Sequence, residues 1–296
     1  MTASLARDRP LPAKLAGYAQ LARPANLVTA AADIAAGYAI AGAPGLGVLV
    51  LLAFASMLLY AGGVVLNDAF DATRDAHERP ERPIPSGRVT RTAAFVFGAI
   101  LLGAGVVVAA AVAGASLAVA VAIAVVVLVY NAYAKHHALL GPATMASARA
   151  LNLLLGVSSA PALLLNAAPF ALLSFAHVAM LTLVSRGETG GTNHRIVNLA
   201  LATALALGPI LVVTAPAPWT ALPFAAAYAG ILLPNYWRLR ARPDAASVRR
   251  AVRSGVLALI MLDAALAAGH AGWVYGIGVL ALWPLAVFLA RRFSVS

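Results

Sequence analysis

Residues 46–66 read LGVLVLLAFASMLLYAGGVVL, and residues 67–88 continue NDAFDATRDAHERPERPIPSGR. The first stretch carries no charge over the length of about 20 apolar residues that a helix needs to cross a bilayer core. The second holds five of the ten carboxylates in the chain. An apolar span that ends in an acidic, arginine-rich segment places charge at a membrane edge. The rest of the chain repeats the pattern.

Comparable apolar runs lie at 25–42, 46–66, 92–112, 115–133, 144–165, 169–185, 196–214, 219–237, 252–269 and 273–290. Inside lipid every backbone polar group must be paired within its own element, so these runs predict helices. The connections near 43–45, 113–114, 166–168, 215–218 and 270–272 are short and hold no Lys or Arg, whereas those near 67–91, 134–143, 186–195 and 238–251 are polar. With ten spans, all 21 Lys and Arg fall on one side or within a turn of it. Excess positive charge marks the cytoplasmic side. A multi-pass protein of the cell (inner) membrane is expected, with both termini and the polar loops in the cytoplasm. Those loops follow the even-numbered spans, which suggests helix pairs, although no convincing sequence repeat accompanies them. Abundant Ala and Gly fit close helix packing.

Composition excludes other classes. The 296 residues are 62% hydrophobic and 10% charged, with mean hydropathy +0.88, against roughly 25% charged residues in soluble domains. The polar stretches are too short to fold alone, so residues 1–296 read as a single membrane-embedded domain. The absence of Cys excludes disulfides, thiolate catalysis and Cys-based metal sites. The net charge of +11 flanks the spans and indicates no nucleic-acid partner. Residues 1–21 lack an apolar core, so the first span is expected to serve as an uncleaved membrane signal. Leu11, Leu15 and Tyr18 fall at helical spacing and suggest a short interfacial helix.

The acidic segment carries the chemistry. Pro80 is its first strong helix breaker, so the second span can run on past Asn67. At about 100° per residue, Asp68, Asp71 and Asp75 share one face, with Asn67 beside it. Three like charges there repel unless a cation offsets them. Hard oxygen donors suit Mg²⁺, which binds through one or two carboxylates plus substrate phosphates. Arg74, Arg79, Arg82 and Arg88 offer bidentate donors to phosphate, and Pro83, Pro85 and Gly87 would turn the loop back over the site. Metal and guanidinium beside an apolar cavity is what ionising an allylic diphosphate requires. The competing reading is a solvated loop whose acids and arginines pair for solubility.

The run Asn67-Asp68-x-x-Asp71-x-x-x-Asp75, followed by Arg82-Pro83-Ile84-Pro85-Ser86-Gly87-Arg88, resembles the first Asp-rich motif of UbiA-superfamily prenyltransferases. The resemblance extends to Arg23-Pro24-x-Asn26 and to Tyr130 and Lys135. It implies an all-α intramembrane bundle around a central cavity, with a nine-helix family core plus one further helix here. It also implies Mg²⁺-dependent transfer of a prenyl group from a polyprenyl diphosphate to a lipophilic or aromatic acceptor. Asn67, Asp68, Asp71 and Asp75 would form the first metal site, with Arg82 and Lys135 as diphosphate contacts. Asn26, Arg74, Tyr130, Arg149 and Arg186 complete the expected substrate-binding set.

The second Asp-rich motif of that superfamily is thin here. Its place reads Ser185-Arg186-Gly187-Glu188-Thr189-Gly190-Gly191-Thr192-Asn193-His194, with one carboxylate. Glu188 is expected as a further metal ligand in the catalytic set with Asp68, Asp71 and Asp75, with Arg186 supplying charge neutralisation. Alternatively the Gly-rich run only joins two helices. A Ser-Arg-Gly-Glu run is similar to the EboC-type branch, which fixes no substrate. Asp33 in the first span should face the bundle interior, lining the cavity or pairing with Arg149 or Asn152. Asp263 reads as a structural partner, and His136 and His137 as solvated loop residues. Two other functions stay open. One is a transporter or lipid-handling protein that keeps the fold with reduced or no catalysis, and the other is a membrane terpene cyclase.

Overall fold

A computed structural model describes residues 13–188 and 191–293, and within them every regular element is helical. The helices are α1 (Ala13–Ala22), α2 (Pro24–Ile40), α3 (Leu46–Glu78), α4 (Arg91–Ala110), α5 (Gly114–Ala132), α6 (Leu140–Val157), α7 (Leu164–Ser185), α8 (His194–Val213), α9 (Pro218–Ala241), α10 (Ala245–Ala271), α11 (Trp273–Leu280) and α12 (Leu282–Phe293). All ten expected spans appear as helix, preceded by the short α1. Leu15 and Tyr18 lie on α1, whereas Leu11, Thr189 and Gly190 fall outside the described residues. Among the described residues six helices are long and apolar enough to cross a membrane, and the protein is a multi-pass membrane protein.

Two spans differ from the sequence expectation. The run 144–165 stops as α-helix at Val157, and a 3₁₀ turn follows at Pro161–Leu163. A proline drives its preceding residue out of the helical region, and Ala160 is found at φ −123°, ψ 77°. The tenth span breaks at Ala281 into α11 and α12. Pro284 has no N–H for the carbonyl of Leu280, and its ring crowds that carbonyl.

α3 is the longest element, at 33 residues. It leaves the apolar layer and carries the acidic segment as helix to Glu78, one residue before the chain turns ahead of Pro80. Small residues seat it on α4: a Cβ on Gly62 would come within 2.9 Å of Gly98 O. The crossing of α2 and α6 is tighter still, with Gly37 against Leu153 O and Gly156 against Ile34 O. His177 ties α7 to α9 and α10. Its Nε2 lies 3.0 Å from Gly255 O, which can only accept, so Nε2 carries the proton and Nδ1 accepts from Tyr228 O–H at 2.9 Å.

The polar connections meet at one end of the bundle. Arg186 donates to Lys135 O and His137 O, Arg249 to Glu188 O, and Thr192 N to Pro243 O. Asp244 caps α10 by accepting from Ser247 N–H at 2.7 Å, which holds its carboxyl below the usual range.

Candidate active site

The helical run past Asn67 puts Asp68, Asp71 and Asp75 on one face of α3, and each meets a cation from elsewhere. Arg23 Nη2 lies 2.6 Å from Asp68 Oδ1, Lys135 Nζ 2.6 Å from Asp71 Oδ1, and Arg82 Nη1 2.7 Å from Asp75 Oδ2. Arg82 Nη1 also stands 3.6 Å from Asp68 Oδ1, so one guanidinium spans two carboxylates. Asp68 and Asp75 are buried and Asp71 is half-buried. The acidic face is therefore turned into the protein, not into bulk water.

Local structure explains how the cations arrive. The segment 79–90 folds back on itself, with Ser86 N donating to Arg82 O and Val89 N to Pro83 O, and Gly87 at φ 76°. Val89 and Ile84 pack with Tyr18 and Leu21 of α1, and Arg88 donates to Gln20 Oε1 and Glu81 O. Arg23 holds a left-handed conformation, φ 48° and ψ 66°. That conformation costs a non-glycine residue about 1 kcal/mol or more, and such strain collects at functional sites.

Beside the acidic face a cavity of about 470 Å³ runs into the bundle, a size usual for small-ligand sites. Arg23, Asn26, Asn67, Tyr130, Asn131 and Ser185 line its mouth. Leu59, Ile123, Val127, Val178, Val256 and Leu259 give it apolar walls. Asn67 is held there by donating to Asn131 Oδ1 at 2.9 Å. Its inner end carries Thr29, Ser56, Arg149 and Asn152.

Some expected site residues stand away from the acidic face. Arg74 is exposed and pairs with Glu78 at 2.8 Å, because at about 100° per residue it lies about 120° round the helix from Asp68 and about 100° from Asp75, off the centre of the shared face. Arg186 is exposed and braces the loop at Lys135 and His137 through backbone carbonyls. Arg149 turns to Asp33, with Nε 2.6 Å from Oδ2, and Asn152 Nδ2 donates to the same oxygen at 2.8 Å. Asp263, also fully buried, lies beside Asp33. His136 and His137 are exposed. Glu188 is half-buried, and no three Asp, Glu or His side chains converge closely enough to hold an ion among the described residues. Sequence reasoning missed Thr29, Ser56 and Asn131. Their signal was polarity inside otherwise apolar spans.

The donors nonetheless suit a divalent cation in kind. They are hard carboxylate oxygens, and Arg82 already holds a positive charge between Asp68 and Asp75 where an ion bound by both would sit.

Residues 27–256 match the UbiA prenyltransferase family. The digeranylgeranylglyceryl phosphate synthase of Methanopyrus kandleri is 44% identical over 91 residues, 30% of this chain and 34% of that protein. The enzyme of the same name from Methanoregula boonei is 46% identical over 95 residues, 31% of this chain and 34% of that one. The chain thus spans about a third of the length of the curated relatives it matches. A UbiA homologue from Archaeoglobus fulgidus bound to DMAPP and Mg²⁺ superposes with TM-score 0.67 at 17% identity, covering 90% of this chain and 99% of that one. That likeness extends the shared fold over nearly the whole bundle.

Proposed function

The chain belongs to the UbiA prenyltransferase family, and on that premise we propose that it transfers a prenyl group from a polyprenyl diphosphate to a lipophilic or aromatic acceptor inside the membrane. The observation that carries this reading is the row of three inward-turned aspartates, each paired with a cation, next to a largely apolar cavity that Asn67 of the same helix and Arg23, the partner of Asp68, line. The solved fold of the A. fulgidus homologue with DMAPP and Mg²⁺ supports the same class of donor.

Asn67, Asp68, Asp71 and Asp75 would hold Mg²⁺, with Glu188 as a further ligand from the opposite loop. When bound, the metal supplies Lewis-acid neutralisation of the leaving diphosphate. Arg23, Arg82 and Lys135 exchange their carboxylate partners for diphosphate oxygens. Asn26, Asn67 and Tyr130 position the head group at the mouth. The apolar walls take the hydrocarbon and keep water from the allylic carbon. The C1–O bond breaks with its electron pair going to diphosphate, and the acceptor's electrons form the new bond to C1. The acceptor's displaced proton leaves with the diphosphate, itself a base. The single domain spans residues 1–296, with its polar loops and termini on the cytoplasmic side of the cell membrane.

The test uses purified protein in lipid vesicles with Mg²⁺, geranylgeranyl diphosphate and a lipid-extract acceptor pool. Diphosphate release with a prenylated acceptor in the mass spectrum is the expected result. The thin second motif favours one alternative, a lipid handler of the same fold. Flux of prenyl diphosphate across the vesicle wall without diphosphate release, over donors of several lengths, would establish that alternative.

A further inference from the structure

The inner end of the cavity is built as a polar site that neither the diphosphate nor a hydrocarbon tail requires. Arg149 Nη2 donates to Thr29 O at 2.6 Å, and Nη1 lies 3.4 Å from Thr29 Oγ1. Asn152 Nδ2 spends both protons, on Ala30 O at 2.9 Å and Asp33 Oδ2 at 2.8 Å. Ser56 Oγ donates to Asn152 Oδ1 at 2.6 Å, and Thr29 Oγ1 donates to Asn26 O at 2.8 Å. Along α3, Ser56 stands about 16 Å of helix rise from Asn67, and on α2 Thr29 lies about one turn from Asn26 at the mouth.

The capacity left over has a definite character. A guanidinium has five N–H groups. Asp33 faces Nε and Thr29 takes one proton from each terminal nitrogen, so two N–H groups remain on a side chain that lines the cavity. Acceptor capacity remains on Thr29 Oγ1, Ser56 Oγ and Asn152 Oδ1. The site thus offers donors and acceptors together. Its one cation is already matched by Asp33, with the Asp263 carboxyl behind it, so it holds no surplus positive charge. A carboxylate or phosphate accepts only, and would meet three oxygens and a neutralised cation. A hydroxyl both donates and accepts.

We infer that Thr29, Ser56, Arg149 and Asn152 form the acceptor-anchoring subsite and take an uncharged hydroxyl of the acceptor, with anionic head groups excluded from this end of the cavity. The inference rests on the transferase reading for the word acceptor, but the site itself does not.

The experiment measures equilibrium binding of three probes sharing one tail, para-hexylphenol, para-hexylbenzoate and para-hexylphenyl phosphate, to the full chain in detergent. The phenol is expected to bind about tenfold or more tightly than either anion, a difference of about 1.4 kcal/mol. Arg149→Met and Asn152→Leu should each weaken phenol binding about tenfold. Asp33→Asn, which releases the Arg149 charge, should turn the preference towards the benzoate. Should these buried variants fail to fold, Thr29→Val and Ser56→Ala each remove one hydroxyl and should cost the phenol about threefold. Tighter binding of either anion by the native chain overturns the inference, and so does phenol affinity unmoved in the folded variants. Mg²⁺-dependent binding of geranyl diphosphate is measured on the same preparations. Its loss with phenol binding intact removes the transferase reading and leaves the subsite. Its retention without phenol binding does the reverse.

Discussion

Lys135 Nζ stands 2.6 Å from Asp71 Oδ1 and joins the turn after α5 to the acidic face of α3. The lysine is mostly buried there and lies 5.8 Å from the centre of the Phe70 ring. Asp71→Asn keeps the shape and removes the charge. Mg²⁺-dependent diphosphate release is expected to fall by about 10²–10³ or more, the scale of losing one preorganised electrostatic group, with an unchanged helical spectrum. Turnover at the native rate would remove Asp71 from the catalytic set.

Arg82 bridges Asp75 and Asp68, so the acidic face is compensated before any metal arrives. Chelation should therefore abolish diphosphate release while moving the melting temperature little. Arg82→Ala exposes two buried carboxylates to each other, and its metal-free form should melt lower than the native chain. Mg²⁺ should then raise the melting temperature of the variant more than that of the native protein. Equal shifts in differential scanning fluorimetry would show that Arg82 and the metal do not compete for the same oxygens.

Asp33 and Asp263 are both fully buried, and Asp33 Oδ1 and both Asp263 oxygens lack a hydrogen-bond donor among the described residues. The two substitutions to Asn should differ in sign. Asp33→Asn strands the Arg149 guanidinium, and breaking a buried pair costs about 3–5 kcal/mol. Asp263→Asn adds an amide donor beside Asp33 and removes a neighbouring acid, so stability should hold or rise. Denaturant titration decides the matter. Equal destabilisation by both would refute this account of the cluster.

Much of this was readable from residue order. Apolar runs gave the helices, and the i, i+3, i+7 spacing of Asp68, Asp71 and Asp75 gave the shared face, because both depend on local periodicity alone. The partners of Asp33 were legible only as a choice between cavity and neighbour. The deciding event is the approach of α2 to α6 at Gly37 and Gly156, and nothing in either segment announces which helix it will touch. Arg74 shows the limit of composition: an arginine inside the motif looks like a phosphate ligand until its rotation off the aspartate face is followed. The break at Ala281 was missed because hydropathy averages over Pro284.

That helix crossing also supplies the sharpest structural test. A Cβ on Gly37 would collide with Leu153 O, and one on Gly156 with Ile34 O. Backbone cannot step aside as a flexible side chain can, so α2 and α6 must separate. Gly37→Ala should therefore cost about 1–3 kcal/mol, the range for overpacking. Asp33 and Arg149 face each other across this contact, as do Thr29 and Arg149, and separation stretches both. The variant should lose para-hexylphenol affinity, and Mg²⁺-dependent geranyl diphosphate binding should fall less, because Asp71, Asp75, Arg82 and Lys135 lie outside the two helices that separate. Ala at Gly103, where a Cβ meets nothing within 4 Å, provides the control and should leave stability and both affinities unchanged. If Gly37→Ala matches that control, the crossing does not set the inner end of the cavity.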